Sequence, residues 1–275
     1  MAAGSFWAGF ISRWMQCKGR KVEYIKPEPN TKNYQQMLDK IIESWQKDPD
    51  KNGRRPRLLM HSCCAPCSSA VLDYLCRYFD ITLFYYNPNI STRAEFDHRV
   101  SELKRLIHEM GIDAERTGED GVKLGAVSVV VPDYDHKEFL NIAKGHEKDP
   151  ERGERCHLCY RQRLEKTAEY MDEVRIKASG DPEASDRIYD YFCTTLTISP
   201  MKSAEILNCI GAEVGKRHGE NFLPSDFKKK GGYQKSIELS KEYDLYRQDF
   251  CGCEFSKAAS ERERAEREAL KKQSV

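Results

Sequence analysis

The sequence lacks several features that would assign a function at once. It has almost no net charge: 45 Lys and Arg against 44 Asp and Glu leave +1. Global charge therefore marks no nucleic-acid binder, and local charge has to carry any such role. No glycine-rich phosphate loop follows the first predicted strand. The turn there reads Ser62-Cys63-Cys64-Ala65-Pro66-Cys67, and Pro66 removes an amide donor. That counts against ATP-dependent chemistry. No nicotinamide or flavin fingerprint is present, which places the source of any electrons in a separate protein. There is no internal repeat and no apolar run long enough to cross a bilayer. Phe6, Trp7, Phe10, Ile11 and Trp14 form too short a stretch for a span. Arg13 among them, with no basic segment ahead, is unlike a secretory signal. A membrane-surface or partner-binding stub remains open for this end. The expectation is a cytoplasmic chain with no membrane partner.

Cysteine, by contrast, is abundant. Eleven in 275 residues is high for a cytosolic protein, and the count is odd, so metal or redox chemistry is expected rather than a disulfide framework. A chain of this length can bury a full core.

Periodicity predicts the layout. Residues 18–32 are basic and contain Pro27 and Pro29, as a linker would. A helix is expected over 33–45, with Tyr34, Met37, Leu38, Ile41, Ile42 and Trp45 on one face. After a polar break at 47–57, strands are expected at 58–60, 81–86, 127–131 and 188–194. Helices are expected at 68–79, 92–110, 137–144, 158–174, 201–217 and 233–242. Strands spaced by helices predict βαβ units, hence an α/β, three-layer fold with a mainly parallel sheet. Ligands then belong at the carboxyl ends of the strands. Residues 255–275, almost all charged or Ala, read as a solvated helical or frayed tail without chemistry. The expected divisions are an N-terminal extension at 1–32, a catalytic α/β domain at 33–256 and a tail at 257–275.

Seven cysteines fall into three tight groups: Cys63-Cys64-Ala65-Pro66-Cys67 after the first strand, Cys156-His157-Leu158-Cys159 at a helix start, and Cys251-Gly252-Cys253. Cys17, Cys76, Cys193 and Cys209 stand alone and read as small buried hydrophobes. A strand-to-helix turn favours thiolates, and a CxxC projects two sulfurs from one helix face. Two cysteines from each of the first two groups make four soft ligands, suited to zinc or to an iron–sulfur cluster. A closed zinc site would leave three of the seven unused, whereas a redox centre employs them all. The Cys-Gly-Cys pair suits a redox-active disulfide or a second metal site.

These groups, with the text between them, resemble the QueH-type epoxyqueuosine reductases. The matching segments run in order from about residue 33 to 257. They are 58–68, 84–90 (Phe84-Tyr85-Tyr86-Asn87-Pro88-Asn89-Ile90), 153–161, 194–200 (Thr194-Thr195-Leu196-Thr197-Ile198-Ser199-Pro200), 225–230 and 245–253. The resemblance implies a Rossmann-like fold of the PP-loop/HUP-like kind. It implies reductive removal of the epoxide oxygen of epoxyqueuosine at the wobble position of tRNA, giving queuosine. It also implies a 4Fe-4S cluster on Cys63, Cys64, Cys156 and Cys159, and a second, non-cluster iron nearby. Cys67 becomes a second-iron ligand. Cys251 and Cys253 become a redox-active pair or ligands near that iron. Residues 177–187 look like an insertion, and the first thirty-two match nothing in the family.

Further roles follow from that reading. A protonated side chain must release the oxygen as water, and His61, His157 and Asp226 lie near the motifs. Arg155, Arg161, Arg163, Lys228, Lys229, Lys230 and Arg247 are candidates for tRNA phosphates. Tyr160, Tyr233 and Tyr246 are candidates for stacking an unpaired base. Asn87 and Asn89 end the second strand, where a ligand would sit, or simply form its turn. The partners expected are tRNA bearing epoxyqueuosine and an external electron-donor protein. Two other classes fit parts of the pattern: a PP-loop-type tRNA sulfur transferase, and a non-catalytic zinc-stabilised RNA-binding module.

Overall fold

The first strand, Arg57-Leu58-Leu59-Met60-His61, is apolar enough to be covered on both faces, and that decides the architecture. The computed structural model describes residues 32–48, 54–118, 121–179 and 188–273. The expected N-terminal stub, all of the 18–32 linker but Lys32, and Cys17 lie outside the described residues, as do positions 180–187 of the expected insertion.

In chain order the elements are α1 (Tyr34–Lys47), β1 (Arg57–His61), α2 (Ala65–Leu75), β2 (Asp80–Phe84) and α3 (Arg93–Glu109). Then come β3 (Arg116–Thr117), β4 (Lys123–Leu124), β5 (Val127–Val130), α4 (His136–Ala143) and α5 (Glu154–Ala178). The last are β6 (Tyr191–Thr194), a 3-10 turn (Thr195–Ile198), α6 (Ala204–His218), α7 (Gly232–Glu242) and α8 (Glu254–Gln273). Four strands form one sheet in the order β5-β2-β1-β6, every neighbouring pair parallel. The three-layer α/β expectation holds.

Alternation along each strand sorts the layers. Leu58 and Met60 of β1, Ile81 and Leu83 of β2 and Cys193 of β6 join one core with Val71, Leu72 and Leu75 of α2, Phe96, Leu103 and Leu106 of α3 and Leu239 of α7. Leu59, Phe84 and Phe192 point the other way, onto Leu164, Ala168 and Met171 of α5 and Leu207, Ile210 and Val214 of α6. Each side chain so buried contributes roughly 1.5–3 kcal/mol.

Local chemistry sets the helix ends. Asn33 caps α1 through Gln36 N at 3.1 Å, Thr92 caps α3 through Glu95 N at 3.3 Å, and Ser203 caps α6 through Ile206 N at 3.3 Å. Helix α2 starts three residues earlier than periodicity predicts. Cys64 is its extended N-cap, and Pro66 sits in the first turn, where a missing amide costs nothing. Cys67 therefore belongs to the helix rather than to a preceding loop. The two-residue strands β3 and β4 pair antiparallel. They are too short to leave a period in the sequence.

Topology fixes where a ligand belongs. The chain steps from β1 to β2 to β5 in one direction, then returns to the other side of β1 as β6. The carboxyl ends of β1 and β6 flank that switch, and open α/β sheets form their crevice at such a point. Cys63 follows β1 and Thr195 follows β6.

Candidate redox and metal centre

The three cysteine groups converge at this edge. Cys63 and Cys67 are half-buried and Cys64 is buried, and the three sulfurs all lie within 4.8 Å of one another. Cys63 and Cys64 sulfurs are 3.8 Å apart. Thiolates at 2.3 Å around a tetrahedral ion sit about 3.8 Å apart, so this spacing suits a metal held by sulfur. Thr195 Oγ1 lies 3.6 Å from Cys63 Sγ. Cys63 carries the thiolate of the three. Hydrogen bonds from the Cys64 and Cys67 thiols hold its pKa well below the ordinary value, and donating those bonds pushes the other two up.

The other four cysteines form the neighbouring half. Cys156, Cys159, Cys251 and Cys253 line a small void of about 20 Å³, while Cys63, Cys64, Cys67 and Cys251 line an open cleft of about 570 Å³. Cys251, Lys202, Met201 and Glu151 border both. Cys251 is thus the sulfur at the junction. Cys251 and Cys253 are free thiols. Gly252 between them takes φ 126°, and a Cβ there would press within 3.1–3.3 Å of Ile90, Arg99 and Asn89. Only glycine fits that close approach in a left-handed conformation. Cys253 Sγ accepts the Ser256 amide at 3.4 Å at the start of α8.

Cations balance this sulfur. Arg163 is 1% exposed and donates from Nη2 to Cys159 Sγ at 2.9 Å. Burial alone would raise the Cys251 thiol, but Lys202 and Arg163 more than offset it and the pKa falls. Burial likewise opposes charge on Lys202. The negative charge at Cys251 and Cys63 prevails, so its pKa rises and the ammonium stays protonated. Cys156, Cys159 and Cys253 are raised by burial, Cys159 to about 11. Arg99 Nη1 donates to the Cys251 carbonyl at 3.2 Å. Arg99 Nη2 and Arg163 Nε are buried donors without a partner among the described residues. Unsatisfied donors beside thiolates favour an anionic occupant, which a thiolate-ligated metal group is. The donor set therefore fits the implied iron.

One consequence can be measured on the metal-free chain. Thiolates alkylate and thiols do not, so iodoacetamide should label Cys63 and Cys251 first. Their labelling midpoints should lie at lower pH than those of ordinary thiols. Buried Cys76 and Cys193, whose pKa values are raised by burial, should label last. Mass spectrometry of the digest would contradict this if all four labelled alike.

Several expected residues are placed elsewhere. Arg155 is 4% exposed, its Nη1 donating to the carbonyls of His146, Glu147 and Asp149 at 2.8, 3.0 and 2.8 Å. It pins the loop before α5. Tyr160 is buried beside the void, with no face free for a base. Arg163 serves Cys159. Arg161 pairs with Glu213 of α6 at 2.8 Å. Lys228 turns inward to Thr197 O at 2.7 Å and Asp226 at 3.1 Å, and Lys230 pairs with Asp39 at 2.7 Å. Tyr246 is half-buried, donating to Glu95 at 3.3 Å. Lys229 is exposed; Arg247 and Tyr233 line the cleft.

The proton-donor candidates fare likewise. His61 is fully buried: Nε2 donates to Tyr86 O at 3.1 Å and Nδ1 accepts from Thr194 Oγ1 at 2.9 Å. Burial and the Arg163 charge push its pKa down to about 3, so it is neutral and structural. Asp226 is buried in its ion pair with Lys228 and lines neither cavity. His157 is half-buried, its pKa lowered by burial, and also lines neither. Asn87 is more than a turn former, donating to Ser62 O at 2.8 Å, and Asn89 lines the void.

Lys202 and Arg99 escaped the sequence reading. Lys202 follows Ser199-Pro200 with nothing in its spacing to mark it. Arg99 did carry a signal: it shares the buried face of α3 with Phe96 and Leu103, where a charge needs a reason. The tail is helical and exposed, as expected; in addition one face of α8 lines the cleft with Ser260, Glu263, Arg264, Arg267 and Glu268.

An α/β fold with seven cysteines and buried cations at its sheet switch defines the class: a thiolate-rich metal or redox protein. Comparison with known proteins narrows it. The family model for epoxyqueuosine reductase QueH matches residues 58–259. Three relatives described as epoxyqueuosine reductase QueH are similar over most of their length. That of Streptococcus pyogenes serotype M1 is 36% identical, over 83% of this chain and 80% of its own. That of Staphylococcus epidermidis is 36% identical, over 82% and 84%. That of Haemophilus influenzae is 31% identical, over 91% and 87%. The chain belongs to the epoxyqueuosine reductase QueH family, a family of oxidoreductases. Among the described residues no helix is long and apolar enough to cross a membrane.

Proposed function

We propose that this chain reduces epoxyqueuosine to queuosine at the wobble position of tRNA, acting in the cytoplasm with electrons from a separate donor protein. The observation that carries the reading is the meeting of three distant cysteine groups, with buried cations, at one cleft of the sheet's switch point. The strand order supports a Rossmann-like fold of the PP-loop/HUP-like kind.

Cys63, Cys64, Cys156 and Cys159 would hold a 4Fe-4S cluster, and Cys67 with Cys251 and Cys253 would hold a second iron or cycle as a redox pair. When bound, that iron supplies single-electron transfer and a Lewis-acidic position. Removing the epoxide oxygen takes two electrons and two protons, breaks two C–O bonds, forms a carbon–carbon double bond and releases water. The chain's own residues prepare this. Lys202 holds a proton on Nζ at the junction of void and cleft, where the leaving oxygen needs one. Arg163 and Arg99 keep Cys159 and the Cys251 backbone in place. Tyr233 and Arg247 border the route by which a base would enter.

The test is direct. Anaerobic chain, a strong reductant and tRNA carrying epoxyqueuosine should yield nucleoside lighter by one oxygen on mass spectrometry. Unchanged epoxyqueuosine, with the chain fully loaded with iron, would overturn the assignment.

A further inference from the structure

We propose that the inner face of α8 is an RNA-binding arm, in which Arg264 and Arg267, with Arg247 on the same cleft, hold phosphates of the tRNA whose modified base enters over Cys63, Cys64 and Cys67. This rests on the tRNA-reductase reading and adds a surface beyond the family's matched segment, which ends at residue 259.

The spacing of the cleft-lining residues argues first. Positions 260, 263, 264, 267 and 268 repeat at helical intervals and define one face of α8. A helix packed on a protein body turns an apolar stripe inward. This one turns two arginines, two glutamates and a serine toward a cleft of about 570 Å³. The rest of the cleft mixes apolar residues such as Ile198 and Phe250 with polar ones such as Arg247 and Gln248. Residues 261–270 are all exposed, so α8 is held at its root. Arg155 lies 4.3 Å over the Phe255 ring, and Ser256 Oγ accepts the Cys251 amide at 3.1 Å. The arm thus springs directly from the redox pair.

Charge argues second. Arg264 pairs with Asp249 and Arg267 with Glu263, and all four side chains are more than half exposed. Exposed pairs of this kind are weak. A phosphate takes a guanidinium in two parallel hydrogen bonds, so it can replace either carboxylate at little loss. Arg247, Arg264 and Arg267 line the same cleft as Cys63, Cys64 and Cys67, so a nucleotide with its base over those cysteines would carry its phosphodiester toward this rim.

The experiment uses the full-length chain with Arg264→Glu and Arg267→Glu combined, and Arg264→Lys with Arg267→Lys as the charge-keeping control. Iron content and visible spectrum should match wild type. The KM for tRNA and the Kd for a fluorescent anticodon stem-loop should both rise about tenfold or more, with kcat nearly unchanged. The salt slope of binding should fall by roughly two, about one for each phosphate no longer neutralised. The lysine pair should recover most of the binding. Unchanged KM and Kd in an active enzyme would overturn the arm. Unchanged Kd, with turnover lost only when a donor protein replaces chemical reductant, would overturn it in favour of donor docking. A wild type that binds the stem-loop tenfold better than the double variant, yet turns over nothing, would support the arm and overturn the reductase reading instead.

Discussion

A Cys63→Ala chain purified without oxygen should be colourless and should reduce epoxyqueuosine-bearing tRNA more than about 100-fold more slowly than wild type. Losing a group that merely supports a metal ligand costs 10–100-fold, and Cys63 is placed to be a ligand itself. It is the thiolate of its triad, 3.8 Å from Cys64 Sγ, with Lys202 among the charges that keep it ionised. Cys76→Ala is the control. That thiol is buried, donates to Leu72 O at 2.7 Å and lines neither cavity, so colour and turnover should survive. Equal loss in both variants would assign the effect to folding, and full activity in Cys63→Ala would remove Cys63 from the centre.

Lys202→Met should lower turnover by roughly 10²–10³-fold, the cost of removing one preorganised charge from the site. Methionine fills much of the same volume without the ammonium. Lys202 is half-buried, so its loss leaves the neighbouring thiolates only partly uncompensated. The sign at Cys251 follows. Lys202 lowers that pKa in wild type, so its removal moves the Cys251 alkylation midpoint to higher pH in the metal-free chain. Lys202→Arg keeps the charge and should keep most of the shift. If the midpoint and turnover of Lys202→Met both match wild type, Lys202 is not the junction cation.

Much of the fold was legible because its signals are local. The apolar run of β1 and the stripes on α2, α3 and α6 each carry their own period. The cysteine groups were legible by chemistry, since seven soft ligands in three tight clusters have few uses. Partner identity was not. Arg155 and Arg161 look in sequence like basic residues beside a site. The fold of the preceding loop sets Arg155 against three of its carbonyls, and tertiary packing sets Arg161 against Glu213. His61 ends a strand, and nothing in its neighbours foretold that Tyr86 and Thr194 would occupy both its nitrogens. The same limit hid α8: its polar face was visible, but not that it would border a cleft.

The most direct test is iron and acid-labile sulfide analysis of anaerobically purified wild type, with electron paramagnetic resonance after reduction. Iron with labile sulfide, and a signal from a reduced thiolate-bound cluster, is the expected result. Stoichiometric zinc, no iron and a silent spectrum would contradict the account, whatever the geometry of the sulfurs.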